Sequence, residues 1–182
     1  MEEEGDLAAM SVHQGLPRGG LSFILVATFD GIAGLRRSLE RLQVRVVLYL
    51  SVEIDPVLRR VARFWWPDMM EGSDVTLLDH ETLRRFVRLG SESGADGCVC
   101  GGGFPCQDVS LINANRLGSE GSRTVLYKEL GRVCFELGGI CHAESMPLLG
   151  IAECVRVGPA DERRITAAFQ WQVLYNCPLG AS

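Results

Sequence analysis

Continuous apolar runs alternate with segments of helical periodicity along most of this chain, and that alternation restricts the folds it can adopt. Residues Leu21–Thr28 and Val44–Ser51 are predominantly apolar, which indicates strands buried on both faces of a sheet. Between them, Leu35, Leu39 and Leu42 recur at helical spacing. Repeated units of this kind predict an α/β fold, a mostly parallel sheet with helices on both faces. Ligands of such folds gather at the carboxyl ends of the strands.

Later segments continue the alternation and contain helix start signals. Asp55 followed by Pro56 is typical of a helix amino terminus, because aspartate caps the first amides and proline suits the first helical position. Asp79 is expected to cap the next helix. The inward face of the first of these helices is predicted to carry Leu58, Val61, Ala62 and Trp65. The other predicted elements are strands at Asp74–Leu78, Asp96–Cys100 and Ile140–Ala143, a helix with Leu83, Phe86 and Val87 inside, and a helix at Thr124–Leu137.

Composition sets the broad class and the compartment. With 182 residues, 47% of them hydrophobic, the chain can form one domain with its own core, which we assign to residues 21–182. Residues 1–20 lack periodicity and are expected to be a disordered acidic tail. The acidic start is unlike a signal peptide, and no apolar run approaches the roughly 18 residues that cross a bilayer. We therefore expect an intracellular protein in a reducing compartment, with no membrane partner and all seven cysteines free.

The charge distribution bears on nucleic-acid binding. The net charge of −5 argues against binding through bulk electrostatics. A local cluster of basic residues can still meet phosphates, although a solvated helix face explains each of them as well. Its members are Arg116, Arg123, Lys128 and Arg132.

Cys106 differs from the other cysteines in its surroundings. It lies within Gly101–Ser110, on a loop that glycine makes pliable and Pro105 stiffens, at the end of a predicted buried strand. The other six sit in apolar contexts that require only packing. A thiol presented on such a loop indicates a nucleophile.

A glycine turn and two acids precede that thiol. The turn Phe29–Gly34 lets a ligand approach the backbone beside a helix amino end. Glu53 follows the second strand, where an open α/β fold places an acid for the hydroxyls of a ribose. Asp74 is positioned for an adenine amino group, with Val75 packing on the ring. Each residue alone fits a turn or a cap equally well, but the ordered series predicts an adenosine-containing cofactor beside a nucleophile.

Together these motifs resemble the amino-terminal catalytic part of the DNA (cytosine-5) methyltransferase family. The turn Phe29–Gly34 is similar to its first S-adenosylmethionine motif, Ser51–Pro56 to the second and Gly72–Val75 to the third. Gly102–Gln107 resembles the Pro-Cys catalytic motif, and Asn113–Glu129 the loop and helix after it. The resemblance covers residues 21–137 and leans toward the de novo branch.

This resemblance implies a Rossmann-like S-adenosylmethionine-dependent methyltransferase that acts on carbon 5 of cytosine in DNA. Cys106 would add to ring carbon 6, and Glu144, after the predicted strand Ile140–Ala143, would stabilise the adduct at the ring nitrogen. Glu136 and Glu153 are rivals for that second role. The implied cofactor-binding residues are Phe29, Asp30, Gly31, Ile32, Ala33, Gly34, Glu53, Ile54, Asp74 and Val75. The implied substrate-binding residues are Pro105, Gln107, Ser110, Arg116 and Arg123.

Departures from the family pattern leave alternatives open. The arginine motif and the target-recognition region have no match, so the resemblance implies a partial catalytic domain, incomplete at its carboxyl end. One alternative is a cofactor-binding remnant or a subunit completed by another chain, and a second is an enzyme acting on RNA cytosine. Metal binding is a weaker alternative, because the Cys98-Val99-Cys100 spacing is not a standard zinc pair. A eukaryotic member is expected in the nucleus.

Overall fold

The computed structural model describes residues 20–110, 113–115, 117–121, 126–169 and 174–176. Its strands are β1 (Ser22–Thr28), β2 (Arg45–Val52), β3 (Met70–Gly72), β4 (Gly97–Gly103), β5 (Leu148–Val155) and β6 (Leu174–Asn176). Its helices are α1 (Gly34–Arg41), α2 (Pro56–Trp65), α3 (His80–Glu92), α4 (Tyr127–Ala143) and α5 (Pro159–Phe169). The strands are all parallel and lie in the order β3-β2-β1-β4-β5-β6. The predicted Rossmann-like α/β fold is confirmed.

The sheet is buried on both faces, as the apolar run of β1 predicts. Ile24 and Val26 pack into a cluster with α3, α4 and α5, whereas Leu25 and Ala27 pack on the other face with α1 and α2. All four side chains are at most 1% exposed. Because successive residues of a strand point to opposite faces, only a strand covered on both sides needs such a continuous apolar run.

Two pairings of β1 bring the carboxyl ends of three strands together. Thr28 pairs with Val52 at the end of β2, and Ala27 pairs with Gly101 near the end of β4. Gly102 then passes so close to β1 that a Cβ atom built there would lie 1.8 Å from the carbonyl oxygen of Thr28. Only glycine fits at this close approach of β4 to β1. The close approach keeps the loop after β4 beside the loop after β1.

Several sequence predictions hold at the level of single residues. The Asp55 carboxylate accepts hydrogen bonds from the amides of Val57 and Leu58 at the start of α2. Asp79 accepts one from Thr82 at the start of α3. Inside α3, three predicted core residues are at most 2% exposed, namely Leu83, Phe86 and Val87.

Three predictions of local structure are wrong. Val75–Leu77 is a turn of 3₁₀ helix rather than part of a strand, because Asp74 caps it, and the strand lies earlier at β3. Ile140–Ala143 is the last turn of α4, which continues through Gly138 and Gly139. Of the four residues predicted on the inward face of α2, Ala62 is buried, whereas Val61 and Trp65 are 38% and 65% exposed.

Part of the sequence interpretation falls outside the described residues. The predicted acidic tail at residues 1–20 lies outside them except for Gly20. Among the residues that the structure describes, no helix has the length and apolar character needed to cross a membrane.

Candidate active site

The loop after β1 has an unusual backbone. Phe29, Gly31 and Ala33 all have positive φ angles, of 52°, 58° and 65°. Ala33 is fully buried and accepts the first hydrogen bond of α1 from the amide of Arg37, whereas Ile32 is 60% exposed. Left-handed conformations in non-glycine residues persist only where their surroundings fix them, and they cluster at ligand sites.

Asp30 holds this loop to β2. Its buried carboxylate accepts hydrogen bonds from the hydroxyls of Tyr49 and of Ser51, the latter at 2.5 Å. Burial raises the pKa of Asp30, although both hydroxyl donors act in the opposite direction. Asp30 therefore stabilises the loop and also lines the neighbouring cleft.

Glu53 bridges the ends of β1 and β2. Its Oε2 atom accepts a hydrogen bond from the amide of Gly31 at 2.8 Å, and its Oε1 atom accepts one from the amide of Asp55 at 2.9 Å. The structure therefore brings together the predicted glycine turn and the predicted ribose acid. The next residue, Ile54, precedes the N-cap of α2 and is 72% exposed.

Asp74 and Val75 lie at the end of the next strand. The Asp74 carboxylate accepts hydrogen bonds from the amide and hydroxyl of Thr76, and Val75 is only 5% exposed. The carbonyl oxygen of Val75 accepts a hydrogen bond from Arg132, which also pairs with Glu129 and Glu136. Arg132, which belongs to α4, thus links that helix to this turn. This role differs from the phosphate contact that the sequence suggests for Arg132.

A cleft of about 420 Å³ opens at this edge of the sheet, on the α1 side. Its walls come from the loop after β1, from α1 and from the ends of β4 and β5. The lining residues are Phe29, Asp30, Gly34, Leu35, Ser38, Gly102, Gly103, Ile151 and Glu153. A volume of this size lies within the range of small-molecule sites, roughly 300–1,000 Å³.

Cys106 lies at the same edge, three residues beyond the end of β4. In its thiol form Cys106 donates hydrogen bonds to the carbonyl oxygen of Phe104 at 2.9 Å and to the Sγ of Cys154 on β5 at 3.6 Å. The side chain is half-buried and packs on the α3–α5 side of the sheet. Within the described residues Cys106 does not line the 420 Å³ cleft, which opens on the other face.

Two hydrogen bonds lower the pKa of Cys106. A hydrogen bond with the Cys154 thiol and a further one from the Val155 amide lower the pKa of Cys106 to about 7, whereas burial and the charge of Glu153 raise it. When Cys106 is ionised, the Cys154 thiol is the donor of this pair, and the same pairing raises the pKa of Cys154. A substantial fraction of Cys106 is therefore thiolate near neutral pH, the form that acts as a nucleophile.

The structure separates Glu144 from Cys106. Glu144 follows the last residue of α4 and precedes β5, so it lies at the amino edge of the sheet, opposite to the carboxyl edge where Cys106 lies. The expectation that Glu144 follows a strand is wrong, because α4 extends to Ala143. Glu136, one of the two rivals to Glu144 for the catalytic role, lies within α4 and pairs with Arg132.

Glu153 is the glutamate that the fold brings to the carboxyl edge. It pairs with Gly103 in the sheet, immediately before Cys154, and it lines the cleft. The sequence pattern predicts no strand at Leu148–Val155, and for that reason Glu153 is only a rival candidate in the sequence. A usable signal was present in Leu148–Val155, an eight-residue run with a single charge.

The loop after Cys106 is closed by its own hydrogen bonds. The carbonyl oxygen of Cys106 accepts from the amides of Val109 and Ser110, and the carbonyl oxygen of Gln107 accepts from the side-chain amide of Asn113. Pro105 is half-buried and Gln107 is exposed. Arg116 and Arg123, the predicted phosphate contacts, lie outside the described residues.

The remaining cysteines occupy the core. Cys98 and Cys100 point to the same face of β4, where they contact Cys141 and Cys134 of α4. All six cysteines in the described part of the chain are free thiols. Within that part, no group of three or more histidine, cysteine, aspartate or glutamate side chains is arranged to hold a metal ion.

Comparison with known proteins finds relatives in the family that the motifs resemble. Over 116 residues the chain is 30% identical to the DNA (cytosine-5)-methyltransferase DRM2 of Arabidopsis thaliana, covering 60% of this chain and 18% of the relative. Over 127 residues it is 28% identical to DRM2 of Oryza sativa subsp. japonica, covering 68% and 21%. The chain thus spans about a fifth of the length of these curated relatives. No family model matches it. The resemblance to DNA (cytosine-5)-methyltransferases is confirmed.

Two methyltransferases are among the solved structures to which the chain is partly similar. A mutant of Spodoptera frugiperda DNMT2 has a TM-score of 0.44 and 16% identity, covering 63% of this chain and 31% of that one. Entamoeba histolytica methyltransferase EhMeth has a TM-score of 0.43 and 13% identity, covering 69% and 44%. The fold assignment itself depends on the strand order of this chain.

Proposed function

We propose that this chain, which resembles the DNA (cytosine-5)-methyltransferases, binds S-adenosylmethionine and uses Cys106 to methylate carbon 5 of cytosine in DNA. The observation that carries the proposal is the position of Gly31, Glu53 and Cys106 on one edge of the sheet, fixed by the pairing of β1 with β2 and β4. Parallel sheets of this type bind their ligands at that edge.

The described residues suit S-adenosylmethionine. Gly31 has a positive φ and open space where a side chain would begin, so a ligand can lie against its backbone. The carboxylate of Glu53 has about four lone-pair sites and uses one on Gly31 and one on Asp55, so acceptor capacity remains for two ribose hydroxyls. Ile54 exposes an apolar side chain beside it, suited to the face of an adenine ring. When bound, this cofactor supplies an electrophilic methyl group on a sulfonium centre.

Cys106 would act on the pyrimidine. Addition of its thiolate to carbon 6 makes carbon 5 a carbanion-like nucleophile that can accept a methyl group. The lowered pKa of Cys106 supports this role, because only the thiolate adds to the ring. Loss of the proton from carbon 5 then lets the sulfur leave.

Glu153 replaces Glu144 in this proposal. A carboxyl group near the thiol would hydrogen-bond or protonate the ring nitrogen and stabilise the charge of the adduct. Glu153 precedes the Cys154 that contacts Cys106, and it lines the cleft beside Gly103. Cys106 and Glu153 both lie at the carboxyl edge of the sheet, close enough for the charge of Glu153 to act on the pKa of Cys106. A flipped base would reach them over this edge, at a cost of a few kcal/mol for leaving the duplex.

The chain covers about a fifth of the length of its relatives. We propose that it carries the residues of the chemical step, and that selection of a particular target sequence depends on other residues. Arg116 and Arg123, with Pro105, Gln107 and Ser110, would contact the extruded nucleotide and its phosphates. For a eukaryotic source, the site of action would be the nucleus.

The first experiment separates cofactor binding from chemistry. Calorimetry measures binding of S-adenosylmethionine to the wild-type chain. A duplex carrying 5-fluorocytosine is then added with cofactor, and a covalent adduct is sought by denaturing electrophoresis, because fluorine at carbon 5 prevents release of the enzyme. We expect an adduct that Cys106→Ala abolishes.

The other outcomes distinguish the alternatives. Binding without an adduct, even after a complementing subunit is added, would indicate a cofactor-binding remnant. An adduct with 5-fluorocytosine in RNA but not in DNA would indicate an RNA enzyme. Absence of both binding and adduct would refute the proposal.

A further inference from the structure

We propose that Cys106 and Cys154 form a reversible disulfide when the protein is exposed to a peroxide, which makes Cys154 the resolving thiol of an oxidative modification site. The formation of the disulfide needs only these two thiols. Its consequence, loss of the nucleophile, rests on the proposed function.

The geometry of the pair carries the inference. The two Sγ atoms are 3.6 Å apart, and closing them to the roughly 2.0 Å of a disulfide requires a small movement of one side chain. Cys106 lies on a loop, beyond the last hydrogen-bonded pair of β4, so it is the partner free to move. Cys154 is fixed within β5 and is 1% exposed, so it meets an oxidised Cys106 before any external thiol does.

Another pair of cysteines in the core is closer together, but a short distance alone does not make a pair of thiols form a disulfide. Cys100 and Cys134 have their Sγ atoms 3.2 Å apart, but their side chains are 0% and 5% exposed. The hydrogen bond from Cys100 to Cys134 and burial raise the pKa of Cys100 well above the usual value. Such a thiol is neither ionised nor reachable, and the thiolate is the species that peroxides oxidise.

The other core pair, Cys98 and Cys141, is also inaccessible. A hydrogen bond from Cys98 lowers the pKa of Cys141, yet both side chains are at most 1% exposed. Among the described cysteines, Cys106 combines partial exposure with a lowered pKa, so oxidation should begin there.

The chemistry proceeds in two balanced steps. The Cys106 thiolate attacks one peroxide oxygen, the O–O bond breaks, and the other oxygen leaves with a proton as water or an alcohol, so that sulfur is oxidised to sulfenic acid. The Cys154 sulfur then attacks the Cys106 sulfur, the S–O bond breaks, and the hydroxyl leaves as water with the Cys154 proton. A dithiol reductant reverses the bond by two exchange reactions.

The first step activates the second. The largest cause of the raised pKa of Cys154 is its hydrogen bond with Cys106, and the charge of Cys106 is a further cause. Conversion of the Cys106 thiolate to a neutral sulfenic acid removes both effects. Cys154 therefore ionises more readily just when a partner sulfur is available beside it.

The test treats the full chain with one equivalent of hydrogen peroxide and maps disulfides by mass spectrometry without reduction. Trypsin leaves Cys98, Cys100 and Cys106 in one peptide and Cys134, Cys141 and Cys154 in another, because no lysine or arginine separates them. Fragment ions between Cys100 and Cys106, and between Cys141 and Cys154, must therefore assign the link. We expect a Cys106–Cys154 link that dithiothreitol removes.

Two variants complete the test. Cys154→Ser should abolish the link and let Cys106 proceed to sulfinic acid, which dithiothreitol does not reverse. Cys134→Ser, which removes a partner from the closer core pair, should leave the Cys106–Cys154 link unchanged. A Cys100–Cys134 link instead, or equal over-oxidation of wild type and Cys154→Ser, would overturn the proposal.

Failure of the proposed function would look different. The link would still form and reverse, but neither oxidised nor reduced protein would trap 5-fluorocytosine. If both proposals hold, oxidation suppresses trapping about as fully as Cys106→Ala does, and dithiothreitol restores it.

Discussion

The Oε2 atom of Glu53 accepts a 2.8 Å hydrogen bond from the backbone amide of Gly31, and this contact ties the loop after β1 to the end of β2. The other carboxylate oxygen accepts from the amide of Asp55, at the start of α2. Two backbone segments thus fix one carboxylate, so its remaining lone pairs point in defined directions before any ligand arrives. Such preorganisation reduces the entropy lost on binding.

Glu53→Ala should weaken binding of S-adenosylmethionine by about 10- to 100-fold, or roughly 1.4–2.8 kcal/mol in total, because it removes hydrogen bonds from the ribose to a charged acceptor. Calorimetry on the purified variant measures the change. Glu92→Ala is the matched control, since Glu92 is an exposed acid on α3 that pairs with Arg88. Equal affinities for wild type and Glu53→Ala would remove Glu53 from the cofactor site.

The hydrogen bond between Cys154 and Cys106 predicts a pH profile. The thiolate fraction of Cys106 rises as pH increases through its pKa of about 7. Cys154→Ala removes the donor, so the pKa of Cys106 rises and its alkylation by iodoacetamide at pH 7 slows, while the rates at high pH converge. Cys154→Ser keeps a hydroxyl donor and should stay closer to wild type. Mass spectrometry follows the alkylation rate as a function of pH. An unchanged pH profile in Cys154→Ala would show that Cys154 does not lower the pKa of Cys106.

Gly102 and Gly138 offer the same substitution with opposite expected effects on stability. Gly102→Ala forces a Cβ atom to within 1.8 Å of the Thr28 carbonyl oxygen and should lower the free energy of unfolding by about 1–3 kcal/mol. Gly138→Ala lies in α4 with no atom within 4 Å of the new Cβ, and should raise it by about 0.5–1 kcal/mol. Urea unfolding compares the two. If Gly102→Ala leaves the free energy of unfolding unchanged, β1 and β4 can move apart more easily than their close packing implies.

The sequence predicted the fold and the carboxyl-edge motifs because these depend on local signals. The apolar run of β1 is nearly unbroken, and the caps Asp55 and Asp79 act on amides two or three residues away. Gly31 and Glu53 follow directly from the strands that carry them. Such features require no knowledge of distant contacts.

The errors occurred where tertiary contacts override local preference. Gly138 and Gly139 resemble a helix stop, but Ile140 and Cys141 are at most 5% exposed in the core, and their burial continues α4 past both glycines. The fifth strand is consequently predicted too early in the chain, which makes Glu144 rather than Glu153 the glutamate associated with it. The contact between Cys106 and Cys154 spans 48 residues, and no local pattern reveals it.

The two glutamates give a direct test of which carboxylate serves the reaction. Glu153→Gln should slow trapping of 5-fluorocytosine by about 10²–10⁴-fold, because an amide hydrogen-bonds the ring but cannot donate a proton as an acid does. Glu144→Gln, the same change at the amino edge of the sheet, should trap at the wild-type rate. Both variants should bind S-adenosylmethionine, which calorimetry checks first. Because the substitutions differ only in position, slow trapping confined to Glu144→Gln would mean that β5 does not carry the catalytic carboxylate.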